Sequence, residues 1–351
     1  MRTRWLITGA QGFVARYATS CILQSSPDAV VLGIGRSERL DGWFSHRISS
    51  VTGRIRAPLP PEISHALDQR YEYKTVDVRV KQQVRSILSD FQPQFVLHLA
   101  SCLRGDPRPQ LLRSNIEGTV TLLQAVSEVR AEHPKVVVGS SGGVYGVVPS
   151  ERLPIRETEP CEPVDEYSIS KMAAEHWARL MARKAGIRLA IARIFNVIGP
   201  GQDERHIAGQ VAAQLSALHR RGGGALKLGA LDSTRDFIDV RDLAAAIVTI
   251  AKSKTSEGLI NVGSGVERPV WQLVHELLSI TKMDVPIETR SDGRIDVPRH
   301  YADITRLLAS GFEPSHTFRN TLTDIWNYYQ RVWPTSLTGS VPEGHSAIRT
   351  G

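Results

Sequence analysis

The stretch that most constrains this chain is Trp5-Leu6-Ile7-Thr8, followed at once by Gly9-Ala10-Gln11-Gly12-Phe13-Val14-Ala15. A short apolar run closed by glycine reads as a buried strand, and the apolar spacing after Gly12 reads as a helix to about Gln24. A strand that turns on glycines into a helix brings backbone N–H groups and the positive helix end to one point. That is where a pyrophosphate sits in dinucleotide-binding folds. The spacing is GxxGxxA rather than GxGxxG, and Ala15 in the third place still lets helix and strand pack closely. The competing account is a plain tight turn. Its place directly after the first strand favours dinucleotide binding.

The second strand, residues 29–34, ends in Gly35-Arg36-Ser37-Glu38-Arg39. An NAD site normally carries an acid here for the ribose hydroxyls. Arg36, Ser37 and Arg39 suit a 2′-phosphate instead, so NADP is the expected cofactor, with NAD as the alternative. Residues 41–70 are irregular and broken by Pro58, Pro60 and Pro61; they read as an insertion on the rim. Beyond them, strands at 73–76, 95–99, 135–139 and 187–195 alternate with helices at 80–91, 107–130 and 165–185. This rhythm predicts an α/β chain with a Rossmann-type, doubly wound parallel sheet and a smaller C-terminal α/β substrate domain. Ligands of such sheets sit at the carboxyl ends of the strands.

Length and charge bound the function. At 351 residues the chain can bury one large core or two linked ones. Its net charge of +7 suits an anionic partner, but the basic residues are scattered and their longest runs are pairs such as Arg220-Arg221. Nucleic acid or a membrane surface would call for a cluster. A phosphate-bearing small molecule fits better. Cys21, Cys102 and Cys161 form no CxxC and cannot all pair internally, which fits reduced thiols. With no apolar run of membrane-spanning length, a soluble, cytoplasmic protein is expected. No metal site is expected.

Tyr167-Ser168-Ile169-Ser170-Lys171 places a tyrosine and a lysine on one helical face. A phenol ordinarily titrates near 10. A cation about 4 Å away, at an effective dielectric of about 20, favours the phenolate by up to ~4 kcal/mol. That is roughly three pK units, enough to bring the phenol close to neutrality. Alone, the pattern is short enough to be a chance feature of an amphipathic helix.

In order along the chain, Thr8 to Val14, Asp77-Val78, His98-Leu99-Ala100, Ser140-Ser141-Gly142-Gly143-Val144-Tyr145-Gly146 and Tyr167 to Lys171 together resemble the extended short-chain dehydrogenase/reductases (the epimerase/dehydratase family). The likeness runs to about Arg331. It implies that Gly9, Gln11, Gly12, Phe13, Val14, Leu99, Ala100 and Ser101 contact the dinucleotide, with Arg36 and Ser37 at its ribose. Asp77 and Val78 would meet the adenine, and Asn115 would support the active-site helix. Ser141 would hydrogen-bond the substrate oxygen, Tyr167 would be the acid/base, and Lys171 would hold the nicotinamide ribose. Gly142, Asn196, Arg235 and Arg294 would meet the substrate, the arginines at its diphosphate, and Asp242 would open the helix after Val240. A nucleotide sugar is the implied substrate and a homodimer through helices 107–130 and 165–185 the implied assembly. The implied division is a cofactor domain over 1–196, rejoined by part of 236–265, a substrate domain over 197–333, and a flexible tail over 334–351.

Within the family, Arg193 to Gln202 and Ser233 to Val240 most resemble the reductases of nucleotide-linked 4-keto-6-deoxyhexoses, in particular those acting on GDP-4-keto-6-deoxy-mannose. Gly143 departs from the polar or acidic residue usual there. A 4,6-dehydratase needs an additional acid and base to remove a proton from C5 and expel the C6 hydroxyl, and Gly142 and Gly143 supply neither. The expected activity is therefore NADPH-dependent reduction at C4. The alternatives are a 4-epimerase with tightly held NAD and a non-catalytic sensor or scaffold on the same fold.

Overall fold

The computed structural model describes residues 2–38, 43–46, 55–64, 69–129, 133–289 and 297–332. Seven strands form one parallel sheet: β1 (Thr3–Thr8), β2 (Ala29–Gly35), β3 (Tyr71–Thr75), β4 (Phe95–His98), β5 (Lys135–Ser141), β6 (Leu189–Ile194) and β7 (Gly258–Val262). Their order is β7-β6-β5-β4-β1-β2-β3, so the chain reverses direction across the sheet between β1 and β4. The crevice at that reversal is the ligand position of doubly wound sheets.

Successive side chains of each strand feed opposite cores. Trp5, Ile7, Val31, Leu97 and Val137 pack with α1 (Phe13–Ser25) and the helix Val240–Lys252. Leu6, Leu32, Val96, Val136 and Val138 pack with α2 (Lys81–Phe91), α3 (Gly118–Val129) and α4 (Glu166–Ala185). Both faces are covered, which is why the strands read as near-continuous apolar runs.

In register, Thr8 lies beside Ile34 and His98, and His98 beside Val138. β5 runs three residues further, to Ser141, opposite Ile194. The carboxyl edge is thus a step that carries the serine forward of the glycine turn. After β6 the chain leaves this sheet: Asn196–Ile198 pairs with Thr234–Asp239, which also pairs with Glu267–Pro269 and Arg299–His300.

Several expectations change in detail. The helix expected at 107–130 comprises a helical turn (Arg108–Leu111), a π-helical segment (Leu112–Glu117) and α3. The insertion holds an antiparallel hairpin of Trp43–His46 with Ile55–Pro58, and a turn of helix at Pro61–Ser64. Its Phe44 lies 6.2 Å from the Phe13 ring and so close to Gly201 that a Cβ there would be 2.3 Å from it. The hairpin therefore closes the seam between the start of α1 and the crossing out of β6. Asp242 does not begin its helix: Asp239 does, accepting from Arg241 N at 2.7 Å, while Asp242 lies in the first turn and holds Ser315 and His316. Arg39, Arg130, Arg294 and the tail lie outside the described residues.

Candidate active site

A cleft of about 580 Å³ opens along the carboxyl ends of β1 to β4, a size that suits an extended cofactor. Gly9, Gln11, Gly12, Arg36, Ser37, Asp77, Val78, Leu99, Ala100 and Ser101 line it. Gly9 has φ +67°, and a Cβ there would be 2.7 Å from Ala100 Cα. Only glycine fits that turn. Gly12 caps α1 without a side-chain hydrogen bond, so the first N–H groups of the helix keep their donors for an anion. Cradle, helix end and cleft fit a dinucleotide. Phe13 and Val14 do not line the cleft but pack into the core at the helix start, Phe13 edge-on to Tyr17.

At the β2 end, Gln11 Nε2 donates to Ser37 Oγ at 3.0 Å and to the Glu38 carbonyl at 2.8 Å, and Tyr73 donates to the Ser37 carbonyl at 2.7 Å. The turn carrying the exposed Arg36 is thereby pinned. Among the described residues the one acid lining the cleft is Asp77, gripped by Arg79 Nε at 3.0 Å and Nη2 at 2.6 Å, which holds its carboxyl below the usual range.

Behind the glycine turn runs a buried polar chain. The Thr119 hydroxyl donates to the Asn115 carbonyl at 2.6 Å, so at 3.0 Å it accepts from His98 Nε2. His98 Nδ1 then accepts from Thr8 Oγ1 at 2.8 Å, and Thr8 Oγ1 accepts from Ala100 N at 3.1 Å. Every proton has a place only if the imidazole is neutral, and burial pushes its pKa down to about 3.

Asn115 lies on the π-helical segment, a widened turn of the kind found at functional sites. Its Oδ1 accepts from Cys102 N at 2.8 Å and Ser101 Oγ at 3.0 Å, and its Nδ2 donates to Ser170 Oγ at 2.9 Å. One buried amide therefore joins the cleft wall to α4, next to Tyr167 and Lys171.

α4 begins at Asp165, whose Oδ1 accepts from Ser168 N at 2.8 Å, and ends at the left-handed Gly186. Lys171 is buried, and its Nζ donates to the Gly139 carbonyl at 2.7 Å and to Ser101 Oγ at 3.2 Å. Burial lowers its pKa to about 8. The expectation that Lys171 brings the Tyr167 phenol towards neutrality is not met: burial drives that phenol up to about 12, with the Ser141 hydroxyl and Arg104 pulling it down and Asp165 pushing it up. Desolvation wins, and Tyr167 is a proton donor at neutral pH. Ser141 Oγ accepts from Gly143 N at 3.1 Å, fixing the hydroxyl beside the phenol.

The opposite wall comes from the second sheet. Asn196 begins the strand opposite Phe237. Arg235 Nη1 donates to the carbonyls of Thr234 and Val297, each at 2.7 Å. Its register partner His300 donates from Nε2 to the Gly142 carbonyl at 3.0 Å and packs 4.8 Å from the Phe195 ring. A Cβ on Gly142 would lie 2.9 Å from His300 Cε1. Burial and the charges of Arg235 and Arg104 push that imidazole down to about 4.

Sequence reasoning missed Arg79, Arg104, Glu175 and His300. Glu175 is one turn beyond Lys171, accepts from Ser140 Oγ at 2.5 Å and pairs with Arg193 at 2.7 Å, tying α4 to β5 and β6. Its i+4 spacing from Lys171 was a readable signal. The others had none.

Residues 5–263 match the model of the NAD dependent epimerase/dehydratase family. The chain belongs to that family. It is an NAD(P)-dependent enzyme. It is 33% identical to the GDP-6-deoxy-D-mannose reductase of Pseudomonas aeruginosa over 66% of this chain and 79% of the relative. Among solved structures, the UDP-glucuronic acid 4-epimerase of Bacillus cereus, in complex with UDP-glucuronic acid and NAD, superposes with a TM-score of 0.78 at 20% identity, covering 94% of this chain and all of that one. The Pseudomonas aeruginosa protein RMD complexed with NADPH gives 0.73 at 24% identity, covering 93% and 99%. Among the described residues, no helix is long and apolar enough to cross a membrane.

Proposed function

We propose that this enzyme is an NADPH-dependent 4-ketoreductase of a nucleotide-linked 4-keto-6-deoxyhexose, and that the neutral phenol of Tyr167 is its proton source. The observation that carries the reading is the placement of that phenol beside the Ser141 hydroxyl, at the head of a turn made by Gly142 and Gly143. A group that must donate a proton is protonated in advance, and the turn supplies no second acid or base for dehydration. The GDP-6-deoxy-D-mannose reductase likeness supports the same class of substrate.

A nicotinamide in the cleft supplies the hydride. Tyr167 gives its proton to the developing alkoxide while Ser141 donates a hydrogen bond to the same oxygen, an oxyanion arrangement. Lys171, anchored on Gly139 and Ser101, keeps a cation beneath that exchange. Arg36 is the group for a 2′-phosphate, Asp77 and Val78 for the adenine, and Asn196 and Arg235 for the nucleotide sugar.

A homodimer through α3 and α4 belongs to the same reading. Ile169, Trp177 and Leu180 project from α4 and Leu112 from the π-helical lead-in to α3, each at least 36% exposed. Light scattering on wild type and Trp177→Asp tests it; a monomeric wild type overturns it.

Stopped-flow NADPH oxidation with GDP-4-keto-6-deoxy-mannose tests the activity. Tyr167→Phe is expected to lose turnover by about 1,000-fold or more while NADPH affinity stays within about two-fold. Retained turnover in that variant, or purified wild type carrying stoichiometric oxidised NAD, overturns the reading.

A further inference from the structure

We propose that Arg104 is a third polar contact to the reacting sugar, its guanidinium binding the carbonyl oxygen or a neighbouring hydroxyl alongside Ser141 and Tyr167. This rests on the ketoreductase reading and adds a residue to it. Arg104 belongs to the loop that follows β4, and its side chain is 64% exposed, reaching over the turn after β5. Its Nη2 lies 3.6 Å from the point where a Cβ on Gly143 would be, and Ser141 Oγ lies 3.3 Å from the same point. With no side chain at Gly143, cation and hydroxyl border one small space, which Ser168 Oγ borders as well at 2.6 Å.

Two further observations set this charge near the proposed proton donor. It acts on both Tyr167 and His300, which stand on opposite walls. Among the described residues its one ion-pair partner is Asp165, at 2.7 Å. Asp165 divides its oxygens, Oδ1 capping α4 at Ser168 N and Oδ2 holding the guanidinium. A guanidinium has five N–H donors, so the pair leaves donors to turn towards a ligand oxygen. Its position is therefore fixed by the same helix that carries Tyr167.

The electron and proton balance is that of the reduction. Hydride forms the new C–H bond as the C=O bond opens, the oxygen takes the Tyr167 proton, and NADPH is the reductant. Arg104 transfers nothing. It stabilises the negative charge that appears on the oxygen before the proton arrives, and does so without reorganising because Asp165 already holds it.

Three variants separate this role from mere support of the helix. Arg104→Met is expected to cut kcat about 100-fold with NADPH affinity within about two-fold and an unchanged melting temperature. Arg104→Lys should recover part of that loss. Asp165→Asn still caps the helix but removes the carboxylate that holds the guanidinium, so it should reproduce part of the Arg104→Met loss. A folded Arg104→Met variant with wild-type kcat would overturn the proposal. Calorimetry supplies a readout that needs no turnover: the affinity gained by GDP-rhamnose over GDP should collapse in Arg104→Met. If wild type turns over no keto sugar yet this increment collapses, the reaction reading fails and the contact stands. An unchanged increment in a folded variant refutes the contact.

Discussion

Lys171 gives its shortest hydrogen bond, 2.7 Å, to the carbonyl oxygen of Gly139 on the neighbouring strand. The ammonium is thus anchored on the sheet that forms the cleft floor, with Ser101 as its second acceptor. Burial brings its pKa down to about 8. The cation is present below that value and lost as pH rises through it.

Activity should follow that charge. In steady-state assays from pH 6 to 10, kcat/KM is expected to be flat to about 7.5 and then to fall, approaching tenfold per unit above 8. Burial pushes the Tyr167 phenol up to about 12, away from this limb. Lys171→Met should lose about 100-fold at pH 7 and show no inflection near 8. A limb that survives in that variant belongs to another group.

On the proposed reading, Arg36 sets the choice of cofactor. The turn that carries it is pinned by Gln11 and Tyr73, while the nearest lining acid, Asp77, is occupied by Arg79. Arg36→Ala is expected to weaken NADPH binding about tenfold or more and to leave NADH within about two-fold, measured by fluorescence titration. Equal weakening of both would remove the 2′-phosphate assignment.

Asn115 links cleft and catalytic helix through hydrogen bonds to Cys102, Ser101 and Ser170. Asn115→Ala strands buried partners at about 1–3 kcal/mol each. We expect a lower midpoint in urea and a kcat reduced about 10- to 100-fold, with a smaller effect on KM. A destabilised variant with wild-type kcat would show that the amide supports the fold and not the geometry of Tyr167.

The parts of this site written in local spacing were legible, and those made by convergence were not. Thr8-Gly9 is a strand end and a turn in one stretch, so the cleft could be placed from the sequence. Leu99, Ala100 and Ser101 could be placed at a strand end in the same way. Phe13 and Val14 share that stretch; their side chains pack against the core, while their backbone N–H groups stand at the open end of the helix. His300 meets Gly142 across 158 residues, and nothing near either residue announces the other. The Tyr167 phenol went the opposite way from the expectation because helical spacing gives the neighbour but not the burial, and burial is the larger effect here.

The neutral His98 makes stability depend on pH. Its imidazole titrates near 3 in the fold and ordinarily near 6.5, so between these values the unfolded chain holds a proton that the folded one refuses. Stability therefore falls as pH is lowered through about 6.5, and His300, held down to about 4, adds to the slope over the upper part of the window. Each histidine contributes up to about 1.4 kcal/mol per pH unit once well below 6.5. Urea unfolding at half-unit steps from pH 7.5 to 5 should show the decline before most carboxylates begin to titrate. His98→Gln keeps one donor and one acceptor for Thr119 and Thr8 but has no proton to gain. It should lower stability at pH 7 and flatten the slope between pH 6 and 5 by about 1 kcal/mol per unit. An unchanged slope in that variant would mean that His98 titrates normally in the folded protein, and that the Thr8–His98–Thr119 chain does not hold the neutral form.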